Sequence, residues 1–195
     1  MPGTGDNEGF DVARTIKGRY EHIPMVILTP FSHGITKRIA NEDLSSFDYI
    51  FCWLGNTDLL VSIIKLIEDK MNLEHDVSEV GVQIILLVED GIRFYSSILP
   101  NLYKFVLKQS QEFSTEALNA HQRTLRMRGR PKIVLARTYN EAIGIYEKYK
   151  NNILGVITDV RFPRVERGEK DALAGIKLCA AIRKEDPFVP LIIQS

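Results

Sequence analysis

Acidic side chains follow two apolar runs of the sequence, at positions where parallel sheets often place their chemistry. Glu89 and Asp90 come directly after the run 84–88, and Asp159 comes directly after the run 153–158. The carboxyl ends of neighbouring parallel strands lie at one edge of a sheet, so these three carboxylates would converge there. Three negative charges at close range raise one another's pKa, and a divalent cation removes that cost. Because the donors are all oxygens, the site would suit Mg²⁺ better than zinc, and bound Mg²⁺ would neutralise an incoming phosphoryl group.

The elements that would position these carboxylates alternate along the chain. Short, continuous, β-branched runs are typical of strands buried on both faces of a parallel sheet. These runs lie at 25–28, 49–53, 82–88, 133–135, 153–157 and 191–193. Amphipathic segments separate them, at 10–16, 59–67, 142–149 and 174–182. This alternation predicts an α/β fold with a doubly wound parallel sheet and right-handed crossovers.

Bulk composition disfavours several classes of function. The 195 residues carry a formal net charge of zero, which gives no general attraction to nucleic acid or to an anionic membrane. No apolar run approaches the roughly 20 residues of a membrane span, and the first residues lack the features of a signal peptide. Cys52 and Cys179 lie in separate apolar stretches and are interpreted as buried free thiols. We therefore expect a cytoplasmic protein that contacts neither nucleic acid nor membrane directly.

The second half of the chain resembles the receiver domain of response regulators. Val88-Glu89-Asp90 is similar to the acidic pair of that family, and the segment 158–161 is similar to its phospho-acceptor aspartate and following loop. The segments 175–183 and 189–195 are similar to the third helix and the fourth strand of a receiver.

This resemblance implies a role for each site residue. Asp159 would accept a phosphoryl group. Mg²⁺ would be held by Glu89, Asp90, Asp159 and the backbone carbonyl of Arg161. Ser195 would be the switch hydroxyl that hydrogen-bonds a phosphoryl oxygen. The lysine-bearing fifth strand of the family and its last helix have no counterpart in this half.

The first part of the chain resembles the same family from a later starting point. Its segments are similar to the loop and helix after the phospho-acceptor, the fourth strand, the fifth strand and the last helix, at 9–17, 23–29, 48–53 and 57–71. Thr29 would hold the switch position of this degenerate half. Cys52 or Trp53 stands where the family has its lysine, so phosphorylation in the family's manner is not expected here.

Together these matches predict the organisation of the chain. Residues 1–73 would be the C-terminal part of a first receiver-like domain, and the polar, acidic segment 74–81 would be a linker. Residues 82–195 would be a second receiver-like domain without its last strand and helix. The predicted architecture is a flavodoxin-like receiver that is incomplete at both ends.

A basic cluster lies outside this scheme. The pattern predicts a helix from about 114 to 128, followed by Arg126, Arg128, Arg130 and Lys132 at and beyond its end. We interpret these side chains as a solvated helix end that complements the helix dipole, because no aromatic residues alternate with them as in a nucleic-acid site.

The resemblance implies a phosphorelay receiver of a two-component system. A histidine kinase or phosphotransfer protein would supply the phosphoryl group, and an attached or partner output module would recognise the switched surface. The chain would be a regulatory phosphoprotein, with any catalytic domain outside it.

Other functions remain open to different degrees. A non-phosphorylated pseudo-receiver, serving as a protein-interaction or regulatory module, is the main alternative. A weaker resemblance to the tandem receiver-like modules ahead of phosphoenolpyruvate synthase or pyruvate phosphate dikinase-type phosphotransferases fits that alternative. A flavodoxin-like cofactor domain is disfavoured because Glu89 and Asp90 would repel a phosphate, and an aspartyl phosphatase because Arg161 stands where its second acid belongs.

Overall fold

The computed structural model describes residues 8–30, 43–115 and 129–195. Contacts within the chain divide it into two compact units, Met1–Asn56 and Thr57–Ser195.

The first unit has a helix and a pair of parallel strands among its described residues. These elements are α1 (Glu8–Arg19), β1 (Val26–Pro30) and β2 (Tyr49–Trp53). The carboxylate of Asp48 accepts a hydrogen bond from the Met25 amide at 2.8 Å and pairs with the Lys17 ammonium at 2.9 Å. Asp48 therefore connects the helix to the start of both strands.

The second unit is an α/β structure with a four-stranded parallel sheet. Its helices are α2 (Asp58–Val80), α3 (Ile92–Thr115), α4 (Tyr139–Tyr149) and α5 (Ala174–Glu185). The strands of the sheet are β3 (Ile84–Val88), β4 (Lys132–Ala136), β5 (Ile153–Asp159) and β8 (Leu191–Gln194). A short antiparallel hairpin of β6 (Phe162–Pro163) and β7 (Lys170–Asp171) lies between β5 and α5. A single 3-10 turn, Lys150–Asn152, joins α4 to β5.

Apolar burial explains why these runs form strands. Strand β4 is buried along its whole length, and β3 has one partly exposed position, as continuous apolar runs predict. The main core packs Leu86 and Val88 of β3 and Val156 of β5 against Tyr146 of α4 and Leu178 of α5. Each buried aliphatic side chain of this kind contributes about 1.5–3 kcal/mol.

The strand order of the sheet is β4-β3-β5-β8. The predicted α/β class with a parallel sheet is confirmed. This order is compatible with a flavodoxin-like fold, whereas the doubly wound arrangement and the incompleteness at both ends stay predictions.

Residues 74–80 form the last turns of α2, where a linker was expected. Leu73 and Val77 lie one helical turn apart and pack against the first residue of β3 and the middle of β4, and this contact continues the helix through the acidic segment. Gly81 ends the helix in the left-handed region, with φ of 69°. The division between the compact units falls just before α2, so the whole helix belongs to the second unit.

Helix α2 lies beside β4, which is an edge strand of the described sheet. The Ile133 amide, which has no partner in β3, donates to the Asp69 carboxylate of α2 at 3.0 Å. Exposed edges of sheets present unpaired amides that can recruit another chain. The contact with Asp69 satisfies one of these amides from within the fold.

Candidate metal centre

The carboxyl ends of β3 and β5 bring three acidic side chains together. The two strands are neighbours in parallel register, with Val88 opposite Thr158. The residues that follow them therefore meet at one edge of the sheet, and one oxygen each from Glu89, Asp90 and Asp159 lies within 4.8 Å of the others. The three carboxylates therefore converge, as the sequence predicts.

Glu89 is the most deeply buried of the three acids, with 3% of its surface exposed. Its Oε1 accepts a hydrogen bond from the Gly91 amide at 2.8 Å, and its Oε2 lies 3.5 Å from the Gln194 amide nitrogen of β8. Burial raises the pKa of Glu89 to about 7, and the charges of Asp159 and Asp90 add to this increase while the Gly91 hydrogen bond opposes it. Near neutral pH this carboxyl is therefore poised between its two protonation states.

Asp90 has one paired and one unpaired oxygen. Its Oδ2 forms an ion pair with the Lys170 ammonium of β7 at 2.6 Å. Its Oδ1 is buried and has no hydrogen-bond partner among the described residues. A buried carboxylate oxygen without a partner costs free energy unless a proton, water or cation reaches it.

Asp159 is held at the end of β5 by backbone contacts. Its Oδ2 accepts from the Arg161 amide at 3.2 Å. Gly175, near the start of α5, lies so close that a Cβ there would be 2.0 Å from the Asp159 carbonyl oxygen. The side chain of Asp159 is partly exposed, in contrast to that of Glu89, so it is open to a reactant from solvent.

The side chains of this cluster are suitable ligands for a cation. All three side chains offer carboxylate oxygens, which are the ligands that hard divalent ions prefer. When the three carboxylates are ionised, the Lys170 ammonium balances only one of their negative charges, so the cluster attracts a divalent ion. The unpartnered Oδ1 of Asp90 could act as a ligand of such an ion. The cluster can therefore bind a metal ion.

The other residues predicted for the site differ in position. Ser195 directly follows β8, whose last residue, Gln194, lies opposite Asp159, so Ser195 is exposed at the same edge of the sheet. Arg161 presents its amide to the Asp159 carboxylate, in the loop after β5. Thr29 belongs to the first unit, where its hydroxyl donates to the Pro30 carbonyl at 3.2 Å, and it is not part of the acidic cluster.

Three residues of this site were not foreseen. Lys170 reaches Asp90 from the β6–β7 hairpin, Gln194 approaches Glu89 from β8, and Gly175 makes room for the Asp159 backbone. Aligning the ends of β5 and β8 would have identified Gln194. No local pattern marks Lys170, because its contact depends on the path of an irregular loop.

The basic cluster was interpreted wrongly for the two members that the structure describes. Arg130 and Lys132 are buried, with 5% and 3% of their surfaces exposed, rather than solvated. Arg130 binds both oxygens of Asp69, at 2.6 and 3.1 Å, and the Tyr103 hydroxyl donates to Asp69 at 2.9 Å. Lys132 pairs with Asp76 at 2.7 Å. These cations can be buried because α2 supplies carboxylates for them, from the buried Asp69 and the partly exposed Asp76.

Two arginines of that cluster, Arg126 and Arg128, lie outside the described residues, as does most of the helix predicted over 114–128. Helix α3 continues to Thr115.

A cavity of about 590 Å³ lies beside this buried ion-pair network. Its charged lining consists of Lys65, Glu68, His75, Asp76, Arg130 and Lys132. The lysines and Arg130 are all engaged in ion pairs with Glu68, Asp69 or Asp76. Among the described residues that line it, the cavity therefore presents no uncompensated positive charge to a ligand, and the acidic cluster at the sheet edge remains the stronger candidate site.

Comparisons with protein families, with curated proteins and with solved structures find no significant match to this chain. Among the helices in the described parts of the chain, none is long and apolar enough to cross a membrane.

Proposed function

We propose that the unit Thr57–Ser195 is a receiver-type phospho-acceptor, in which Asp159 is phosphorylated with the help of Mg²⁺. The observation that carries this proposal is the convergence of three carboxylates from two adjacent parallel strands, within 4.8 Å of one another. Parallel α/β sheets place ligands outside the carboxyl ends of their strands, where the order of the strands reverses. The strand that follows β3 in the sequence, β4, lies on one side of it in the sheet, and the next strand, β5, lies on the other side. The order of the strands therefore reverses between β3 and β5, and the acids follow these two strands.

The three acids would have different roles because their surroundings differ. Asp159 is partly exposed at a strand end and would be the nucleophile. Glu89 is buried and Asp90 is already paired with Lys170, and both would hold the cation, together with Asp159 and the backbone carbonyl of Arg161. Bound Mg²⁺ would neutralise negative charge on the transferring phosphoryl group.

Phosphorylation would proceed by in-line displacement. An oxygen of Asp159 forms a bond to the phosphorus of the donor, and the bond between phosphorus and the leaving group breaks, which gives an acyl phosphate. The Ser195 hydroxyl, at the same edge of the sheet, would donate a hydrogen bond to a phosphoryl oxygen. A histidine kinase or phosphotransfer protein would be the donor, and an attached or partner module would recognise the switched surface.

A second candidate is a pseudo-receiver that is not phosphorylated and acts as an interaction or regulatory module, as in a phosphoenolpyruvate synthase-type phosphotransferase. One observation favours it. The Lys170 ammonium already neutralises Asp90 at 2.6 Å, so the cluster has an internal counter-ion in addition to any metal.

Phosphate uptake distinguishes the two candidates. The protein is incubated with acetyl phosphate and Mg²⁺, and intact mass is compared for wild type, Asp159→Asn and Glu166→Gln. Glu166 is an exposed acid in the turn between β6 and β7 and serves as control. We expect one phosphoryl adduct on wild type and Glu166→Gln, lost on removal of Mg²⁺, and none on Asp159→Asn. Equal labelling of wild type and Asp159→Asn, or no labelling of any protein, would favour the pseudo-receiver.

A further inference from the structure

The β6–β7 hairpin is fixed at both of its strands. Phe162 of β6 is fully buried in the main core. Asp171 of β7 accepts from the Leu173 amide at 3.0 Å and pairs with Lys177 of α5 at 2.6 Å. Between these anchors the chain turns at 165–168, where the Gly168 amide donates to the Val165 carbonyl at 3.0 Å.

Lys170 lies between these anchors and extends to the acidic cluster. It is paired across the hairpin with Pro163, and its ammonium lies 2.6 Å from Asp90 Oδ2. Asp90 is the less exposed partner, at 16% against 45% for Lys170. The hairpin thus delivers a positive charge to a carboxylate that belongs to the candidate metal centre.

We infer that Lys170 is an internal counter-ion that competes with a divalent cation for Asp90, so that cation binding frees the β6–β7 hairpin. This inference rests on the metal site of the proposed function. An ammonium group and a divalent ion beside the same carboxylate repel each other, and the ion brings twice the charge. Coupling between two binding events is reciprocal. If the ion weakens the contact between Lys170 and Asp90, that contact must also weaken the binding of the ion.

The hairpin would then report the state of the site. Without the ion, Lys170 attaches the β7 strand to Asp90. With the ion bound, the ammonium withdraws toward solvent, into which it already extends partly. The hairpin then keeps its Phe162 and Asp171 anchors and the hydrogen bond from the Asn140 amide of α4 to the Arg164 carbonyl at 3.1 Å. The surface beside the phospho-acceptor would therefore change when the cation binds, before any phosphoryl transfer.

Binding of Mn²⁺, which takes the same oxygen ligands and is visible by electron paramagnetic resonance, tests this inference directly. The proteins are wild type, Lys170→Met, Lys170→Arg and Lys177→Met. Lys177 is a matched control, since it forms an ion pair of the same length with Asp171 one residue along the hairpin, and Asp171 keeps its hydrogen bond from the Leu173 amide when that pair is lost. We expect Lys170→Met to bind Mn²⁺ about tenfold more tightly than wild type, with Lys170→Arg and Lys177→Met close to wild type.

Each outcome of the binding experiment decides between the proposals. Equal or weaker binding by Lys170→Met would overturn the inference and leave the proposed metal site intact. Absence of Mn²⁺ binding by every protein would overturn both. Tighter binding by Lys170→Met without phosphate uptake by any protein would support the inference and remove the proposed phosphorylation alone.

Hydrogen exchange gives a second, independent measurement on wild type. Amides of residues 162–171 should exchange faster when Mn²⁺ or Mg²⁺ is added, while those of α4 should not change. In Lys170→Met the hairpin should exchange fast with or without the ion. Slower exchange of the wild-type hairpin on cation binding would contradict the displacement of Lys170.

Discussion

The guanidinium of Arg130 binds both carboxylate oxygens of Asp69, at 2.6 and 3.1 Å, although the residues are 61 positions apart in the sequence. Burial alone would lower the pKa of Arg130, but the hydrogen bonds and charge of Asp69 outweigh burial and raise it. Asp69 also accepts from the Ile133 amide and the Tyr103 hydroxyl. One carboxylate thus joins α2, α3 and β4.

Loss of this carboxylate should destabilise the second unit strongly. Asp69→Ala leaves the Arg130 charge buried without its partner, and we expect a cost of about 3–5 kcal/mol in urea unfolding. The exposed acid Glu74, which pairs with Lys148 at 3.3 Å, provides the control, and Glu74→Ala should cost less than about 1 kcal/mol.

A double variant separates burial of charge from loss of packing. Asp69→Leu combined with Arg130→Met removes both charges, and it should recover much of the stability that Asp69→Ala loses. Should Asp69→Ala cost no more than Glu74→Ala, the network would not have the structural role assigned here.

Glu89 should make stability fall as pH rises. Its pKa is raised from 4.5 to about 7, so the folded state holds this proton more tightly than the unfolded state does. The stability from this group is fully present below the unfolded pKa of 4.5 and is lost as pH rises through the folded pKa of about 7. Without a divalent cation, and allowing for screening by solvent, the loss should be roughly 1–2 kcal/mol.

Glu89→Gln tests this dependence. It removes the ionisable group, so the decline between mildly acidic and mildly alkaline pH should become shallower and the variant should be the more stable protein at pH about 8. Thermal unfolding across that range, with Glu166→Gln as the exposed control, measures the effect. If stability declines equally steeply with pH in wild type and Glu89→Gln, another titratable group causes the decline.

The sequence predicted those features that depend on local pattern and on the geometry of parallel sheets. Strands 84–88 and 153–159 were found because continuous apolar runs signify burial, and their following acids converge because parallel strands end together. The helix over 74–80 was missed because polar composition concealed the spacing of Leu73 and Val77.

Partners distant in sequence could not be predicted in the same way. Arg130 and Lys132 resembled solvated cations, because nothing near them in the sequence shows that Asp69 and Asp76 approach from α2. The contact of Lys170 with Asp90 likewise depends on how a loop folds back over the sheet edge. Charge pairs of this kind are set by tertiary structure and not by periodicity.

Mg²⁺ should stabilise the second unit through the acidic cluster. A ligand that binds only the folded state contributes about 2.7 kcal/mol at one hundred times its dissociation constant. We expect a rise in unfolding temperature with Mg²⁺ for wild type, and little or no rise for Asp90→Asn, which weakens a donor whose Oδ1 is otherwise unpartnered. An equal rise in both proteins would place the bound ion elsewhere.

Gly175 should be required for the position of Asp159. Its amide donates to the Val160 carbonyl at 3.0 Å, and a Cβ at this position would lie 2.0 Å from the Asp159 carbonyl oxygen. Gly175→Ala must therefore push α5 away from the end of β5, at an expected cost of about 1–3 kcal/mol and with weaker Mg²⁺ binding.

Gly144 of α4 is the matched control, since it is also a helical glycine but a Cβ added to it would have no atom within 4 Å. Gly144→Ala should stabilise the protein by up to about 1 kcal/mol, because alanine has the higher helix propensity. Urea unfolding measures the change in the free energy of unfolding for each variant. Changes of opposite sign would distinguish the close approach at the Asp159 backbone from a general effect of helix propensity. If both variants gain stability, α5 does not need a glycine to pack against Asp159.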